Sequence, residues 1–446
     1  MLSLLFGALA ATAKDSLTWE NDKNNVSAEI ATWDLGQLLE NVASATGWNV
    51  YVEPQTKYKV STKFKDRTPG DALKLLLGDL SFALVPEKNG PSRLYVFRTT
   101  MKEATQLVKA AQPKLSPKAK PIPDELVVTV KPGTDIEALA KKLGAKIIGR
   151  ADALNTYRLK FEDAESANAA KQDLKTNSSV ENIDSNYSIS RPDQPEALGL
   201  GQFAPIGLTP KAVPDANRLI VGLIDTPVQA KGTGIEGFLL PSISVGDPAN
   251  PGSEQPTHGT SMAETLVRGM IAGLEGATSS KVRILPVDVY GNNASTTSFD
   301  VALGVTKAIN GGAMWINMSL GSYGPSEFLQ QVIQSGHSQG VAFFASAGNE
   351  PVTTPTYPAA YPEVVAVTAA DRNGKLASYA NYGSFVDVMA PGTAIVNYVN
   401  QSWLVMGTSP ASVYATGMAV GQAEARGLSA AQSETAIRSS SVSRLR

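Results

Sequence analysis

Apolar positions recur along the chain with two different periods, and the switches between them mark out three folded stretches. In the first, residues 26 to 98, Val26 to Ile30 reads as a strand, and Leu35, Leu38, Leu39 and Val42 fall on one face of a helix. Strands at Trp48 to Val52 and Tyr58 to Phe64 follow. Pro69 opens a second helix carrying Ala72, Leu73, Leu76 and Leu77, because a proline in the first turn removes no hydrogen bond that a helix uses. Strands Phe82 to Pro86 and Arg93 to Phe97 flank the turn Lys88-Asn89-Gly90-Pro91 and close a small α+β unit, residues 26 to 100.

The second stretch, residues 125 to 190, predicts strand Leu126 to Val130, helix Asp135 to Leu143, strands Ala145 to Arg150 and Thr156 to Phe161, helix Ala164 to Leu174 and strand Val180 to Tyr187. That order is the βαββαβ of a ferredoxin-like unit. Before it, residues 101 to 124 read as a Pro/Lys linker, with Lys109, Lys114, Lys118 and Lys120 set among Pro113, Pro117, Pro121 and Pro123, a composition that favours extended, solvated backbone. After it, residues 191 to 214 hold five prolines and Gly199-Leu200-Gly201 and predict an exposed connector, the kind of segment where proteolytic nicking concentrates.

The third stretch, residues 215 to 446, alternates its elements. Strands are predicted at Leu219 to Ile224, Lys281 to Val287, Trp315 to Met318, Ala342 to Ala345 and Val364 to Thr368, with helices at Ser261 to Ala272, Asp300 to Asn310 and Ser326 to Gln339 between them. Such alternation implies a parallel sheet with helices on both faces, and a run such as Ala342-Phe343-Phe344-Ala345 suits a strand buried on both sides.

Composition sharpens this picture. With 43% hydrophobic and 18% charged residues in 446, the chain is globular, and charge density falls by about half past residue 200, as expected where a larger domain begins. A net charge of −2 gives no electrostatic reason to expect nucleic acid as a partner. The absence of cysteine excludes thiolate catalysis, disulfides, cysteine zinc sites and iron–sulfur clusters. Residues 1 to 13 are mostly apolar and end in Ala11-Thr12-Ala13, which predicts a secretory signal and a secreted or periplasmic product. No run approaches the ~18 apolar residues of a transmembrane helix.

The candidate chemistry lies in the third stretch. Asp225 follows an apolar strand directly, His258 starts an amphipathic helix within Thr257-His258-Gly259-Thr260, and Ser409 sits in Gly407-Thr408-Ser409-Pro410 where another helix would begin. Singly, each such Asp or Ser reads as a helix cap. Together with one of only two histidines they supply a hydroxyl nucleophile, an imidazole to accept its proton and a carboxylate to hold the imidazole.

In that order, Ile224-Asp225-Thr226, His258-Gly259-Thr260, Ile316-Asn317-Met318-Ser319-Leu320-Gly321, Ala347-Gly348-Asn349 and Gly407-Thr408-Ser409 resemble the motifs of the subtilisin-like serine proteases, the subtilases of the peptidase S8 family. The resemblance implies a catalytic domain at 215 to 446 acting on polypeptides, with Asp225, His258 and Ser409 as its triad and Asn349 as an oxyanion donor beside the Ser409 N–H. It further implies that Ser319, Leu320 and Gly321 pair with substrate backbone and that Ser346, Ala347 and Gly348 line the pocket for the residue before the cut. Because such proteases are commonly preceded by an inhibitory propeptide of ferredoxin-like topology, residues 125 to 190 are expected to be an intramolecular inhibitor. Residues 26 to 98 resemble the short amino-terminal domain of secretins and TonB-dependent receptors, which implies an envelope protein as partner.

Three departures from the family pattern stand out: Pro227 after Asp225-Thr226, Ser261 after His258-Gly259-Thr260, and Pro410-Ala411-Ser412-Val413-Tyr414 after the serine. They support an alternative, a catalytically weak or inactive protease-shaped binding protein docking to an envelope partner. No cofactor is required for the chemistry. Family members often bind calcium, but no set of oxygen ligands assigns such a site here. Asp371 to Gly374 reads as a polar turn and His337 as a solvated residue near a helix end.

Overall fold

A computed structural model describes residues 16–20, 25–86, 91–108, 119–198, 205–252 and 254–439. The expected signal segment, the Lys88-Asn89-Gly90 turn, residues 109–118 of the linker and Gly199-Leu200-Gly201 lie outside the described residues. The chain divides into two compact units near residue 115.

In the first unit every expected element forms. Helix Leu35–Thr46 starts where the Asp34 carboxylate accepts from the Gln37 N–H and stops at Gly47, whose φ of 71° a glycine adopts without strain. Helix Pro69–Leu77 starts at a Thr68 cap. Leu38, Leu39, Leu73, Leu76 and Leu94 fill the core between the helices and two sheets. One sheet holds strands Ser16–Glu20, Asn25–Asp34 and Lys59–Arg67, and the other Ser81–Val85, Arg93–Phe97, Asn49–Val52 and Gln106–Val108. Two of these strands were not expected. Gln106–Val108 pairs antiparallel with Asn49–Val52, so the linker begins later than residue 101. Backbone pairing at a sheet edge leaves little trace in composition.

The second unit opens with the βαββαβ arrangement. Its antiparallel strands run in the order Val180–Ser190, Pro121–Val130, Thr156–Lys160, Lys146–Ala151, with helices Ile136–Lys142 and Ala164–Lys175 between them in sequence. The first strand starts at Pro121, not Leu126. Its proline-bearing end lies beside Tyr187, where a missing N–H costs only an edge bond. The last strand continues past the sheet. Its residues Ser188, Ile189 and Ser190 pair antiparallel with Thr297, Thr296 and Ser295 of the third stretch.

That stretch is built on a seven-stranded parallel sheet, in the order Ile243–Ser244, Val282–Asp288, Leu219–Asp225, Trp315–Met318, Ala342–Ser346, Val364–Ala370, Val388–Pro391. Helices Ser298–Asn310 and Glu327–Ser338 share one apolar core with it, and helices His258–Gly273 and Thr408–Arg426 another. The last two lie against each other almost backbone to backbone. A Cβ at Gly269 would sit 2.3 Å from the Tyr414 carbonyl oxygen, and one at Gly417 would sit 2.2 Å from that of Leu266. Both glycines are therefore required by close approach. Each helix repeats the device one turn on, at Gly273 and Gly421. A hairpin, Thr393–Tyr398 with Gln401–Met406, leads directly into the Thr408–Arg426 helix.

The connector is less free than its composition predicts. Glu196 and Ala197 pair with Leu404 and Trp403 of the hairpin, and Thr209 and Pro210 pair with Ser279 and Ser280.

Candidate active site

The carboxyl edge of the parallel sheet gathers the residues singled out by sequence. Asp225 ends the strand Leu219–Asp225, and His258 is the first residue of the helix that Thr257 caps through the Thr260 N–H. His258 Nδ1 lies 2.8 Å from Asp225 Oδ1. The Thr226 N–H donates to the same oxygen at 2.7 Å, while Oδ2 is buried without a protein partner. Both side chains are buried, His258 to 4% exposure and Asp225 to 1%, so the pair meets at low local dielectric, where a charge-assisted bond is strong. Gly259 fits beneath Asp225-Thr226 because it has no side chain; a Cβ there would meet the Thr226 carbonyl oxygen at 2.2 Å.

The environment of Asp225 is acidic on one side. Asp288 ends the neighbouring strand in register with it, and burial pushes the Asp288 carboxyl above the ordinary range although the Gly291 and Tyr290 N–H groups bond to it. Burial, and after it the Asp225 charge, pushes the Tyr290 phenol well up.

Ser409 is the second residue of its helix, two places further in than the cap position read from the sequence, and Gly407 takes the cap position at φ 147°. Pro410 is thus third. The first four N–H groups of a helix have no intrahelical acceptor, so the proline removes no bond there. The Ser409 hydroxyl lies 3.4 Å from the Ser319 carbonyl oxygen, and the Ser319 hydroxyl donates back to the Ser409 carbonyl at 3.3 Å. Ser319 in turn accepts from Asn317 Nδ2, whose Oδ1 takes bonds from Ser412 and Thr416. A buried polar network thereby ties the Ser409 helix to the segment after strand Trp315–Met318. Motif spacing alone could not reveal that Ser412, three residues after Ser409, belongs to it.

Asn349 stands on the neighbouring loop. Its Oδ1 accepts from the Thr408 N–H at 2.9 Å and from the Thr408 hydroxyl at 3.1 Å, which turns Nδ2 toward the entrance of the Ser409 helix. Leu320 is buried and Gly321 exposed on the loop after Ser319, while Ser346 ends the adjacent strand and Ala347 and Gly348 follow it. These two segments leave the sheet side by side.

The βαββαβ subdomain is bonded to the sheet domain at the starts of two helices. The Asp184 carboxylate accepts from the Ser326 hydroxyl and the Phe328 N–H, and Asn186 Oδ1 accepts from the Ser298 hydroxyl and the Phe299 N–H. Each side chain therefore caps one helix amino terminus of the sheet domain. Arg158 donates to both carboxylate oxygens of Glu125 and to Asp300 across the boundary. Tyr187 packs where Gly324 has no side chain.

His337 ends the Glu327–Ser338 helix 3.6 Å from Glu434, far in sequence from the other candidates, and Asp371 folds a turn by accepting from the Asn373 and Lys375 N–H groups. Among the described residues no cluster of three or more His, Asp or Glu side chains could hold a metal ion.

The structure thus pairs Asp225 with His258, while the Ser409 hydroxyl is directed to the Ser319 carbonyl on the neighbouring segment. The sequence model described as "Subtilase family" matches residues 216–443, and that described as "Fervidolysin N-terminal prodomain" matches residues 108–186. Thermitase from Thermoactinomyces vulgaris is 34% identical over 221 residues, 49% of this chain and 78% of thermitase. The thermophilic serine proteinase of Bacillus sp. (strain AK1) is 34% identical over 206 residues, 45% of this chain and 50% of that protein. The fold is shared with the epidermin leader peptide processing serine protease from Staphylococcus aureus, at TM-score 0.53 and 18% identity over 70% of this chain and 91% of that one. It is also shared with fervidolysin from Fervidobacterium pennivorans, at TM-score 0.52 and 18% identity over 70% and 55%. The chain belongs to the subtilase family and is a subtilisin-like serine protease with a prodomain.

Proposed function

We propose that the protein is a secreted serine endopeptidase made as an autoinhibited zymogen, with Asp225, His258 and Ser409 as its triad. The observation that carries this reading is the 2.8 Å bond between His258 Nδ1 and Asp225 Oδ1. With Nδ1–H donating to the carboxylate, Nε2 is the basic ring nitrogen, the tautomer needed to take the Ser409 proton and return it to the leaving amine. Asn349 Nδ2 and the Ser409 N–H would receive the charge that develops on the carbonyl oxygen, the latter aided by the helix dipole. Subtilisin-like use of Ser319 to Gly321 as an added strand for the substrate follows from the same reading.

Autoinhibition is supported by the pairing of Ser188 to Ser190 with Ser295 to Thr297, which binds the last strand of the prodomain stretch to the sheet domain. Residues 26 to 98 are read as a secretin-like module that docks to an envelope partner. No described helix is long and apolar enough to cross a membrane. The alternative of an inactive binding protein rests on Pro227 and the altered segment after Ser409; of these, Pro410 lies in the first helical turn and disturbs no hydrogen bond.

Labelling with a fluorophosphonate probe tests the proposal. The wild-type chain should label and Ser409→Ala should not; a well-folded wild-type chain that takes no label, even after limited proteolysis of residues 191 to 214, overturns it. If wild type and Ser409→Ala are nicked identically in the connector, self-processing is wrong.

A further inference from the structure

The two segments that leave the sheet side by side after Met318 and Ser346 are joined by a third, residues 356 and 357. Ser322 and Tyr357 exchange two backbone bonds, at 2.9 and 2.7 Å, which fastens residues 356 and 357 to the first segment. The Thr356 hydroxyl then reaches across to donate to the Ala347 carbonyl at 2.7 Å on the second segment. Thr356 is buried to 4% exposure, and a Cβ built on Gly321 would lie 4.0 Å from the Thr356 Cβ. The threonine side chain therefore lies between Gly321 and Ala347.

The two segments are bridged further along as well. Tyr323, just past the first segment, donates its phenol to Glu350 Oε2 at 2.8 Å, and Glu350, just past the second, also accepts from the Asn349 N–H. Burial, and the Glu350 carboxylate beside it, hold the Tyr323 phenol above its ordinary pKa, so it remains a donor.

We infer that Thr356 on the floor and the Tyr323–Glu350 bridge at the rim make the primary pocket shallow, so that the residue before the scissile bond must be glycine, alanine or serine. This rests on the assignment of 319–321 and 346–348 as substrate-binding segments. Neither end contains a group needed for the chemistry, so the effect belongs to substrate choice. A filled pocket rejects a long side chain because its rigid, hydrogen-bonded occupant has nowhere to move.

The test uses peptides that differ only at the residue before the cut, Ala against Phe, with the full chain activated until fluorophosphonate labelling is maximal. Wild type should favour Ala over Phe in kcat/KM by at least about tenfold. Thr356→Gly should shift that ratio toward Phe by about tenfold or more, whereas Thr356→Val, which refills the volume without the hydroxyl bond, should keep the Ala preference. A wild-type preference for Phe, or a ratio unmoved in an active Thr356→Gly variant, overturns the inference. Equilibrium binding of the same peptides to the equally treated Ser409→Ala chain needs no turnover. A retained Ala preference there, with an inert wild type, supports the pocket and sinks the triad; a Phe preference sinks the pocket alone.

Discussion

Thr408 holds Asn349 by two hydrogen bonds to one amide oxygen, from its N–H at 2.9 Å and from its hydroxyl at 3.1 Å. The Thr408 hydroxyl also accepts from the Gly348 N–H, so one side chain links the Gly348–Asn349 loop to the helix that carries Ser409. An Asn349→Ala variant should lose about 10²- to 10³-fold in kcat with little change in KM, since a group aimed at developing charge binds the ground state weakly. Thr408→Ala should reproduce part of that loss and Thr408→Ser should restore it. Steady-state kinetics on one peptide substrate check all three.

Asp225→Asn should keep the fold yet lower kcat about 10⁴-fold, because an amide that donates to Nδ1 leaves the wrong nitrogen facing the serine. Circular dichroism should match wild type while turnover collapses; comparable turnover in the two chains would contradict the role given to the 225 carboxylate.

The His258 and Ser409 helices touch at Gly269 and Gly417. A methyl group at either position must push backbone away from backbone. Gly417→Ala should therefore destabilise the sheet domain by about 1–3 kcal/mol and lower kcat/KM, since both reacting side chains ride on the displaced helices. Urea unfolding and kinetics read the two effects separately. The equivalent change at Gly133, whose Cβ would meet nothing within 4 Å but whose φ is 84°, should cost stability without touching the site.

Asp184 connects the prodomain to pH. Burial raises its carboxyl pKa despite bonds from Ser326, Phe328 and Ser185, with Glu327 adding to the rise. The folded state thus holds the proton to higher pH than the unfolded chain. The stabilisation this provides is complete below the unfolded value of about 4 and is lost as pH climbs through the raised native value. Asp184→Asn is neutral throughout. The melting temperature of wild type minus that of Asp184→Asn should fall as pH rises from 4 toward neutrality; a difference that grows would mean the ionised cap is the stabilising form.

The parallel strands were legible because a strand buried on both faces is a short unbroken apolar run, as in Ala342–Ser346, and the helices because their apolar residues share one face. Val388–Pro391 and the hairpin that follows escaped notice: one is four residues ending in proline, and the hairpin mixes polar and apolar positions without a clean period. Asp225, His258, Ser409 and Asn349 were legible as ordered motifs. Thr356 was not. Its effect depends on a carbonyl nine residues back and a glycine 35 residues back, a conjunction that only folding creates. Asp184 and Asn186 look like ordinary strand residues until the helices they cap are brought beneath them.

The connector leaves the prodomain paired to Ser295–Thr297 and is paired again at Glu196–Ala197, so backbone bonds flank the short span from Arg191 to Pro195 on both sides. Severing that span would produce two new chain ends, each still seated on its own strand. The cut removes the effective concentration that the covalent link supplied, so the prodomain is then held only by its noncovalent contacts, the strand pair at Ser295–Thr297 and the bonds of Asp184, Asn186 and Arg158. Maturation would then comprise two separable events with separate clocks, a scission and a later departure, and the slower of the two would decide when the enzyme first meets a foreign peptide.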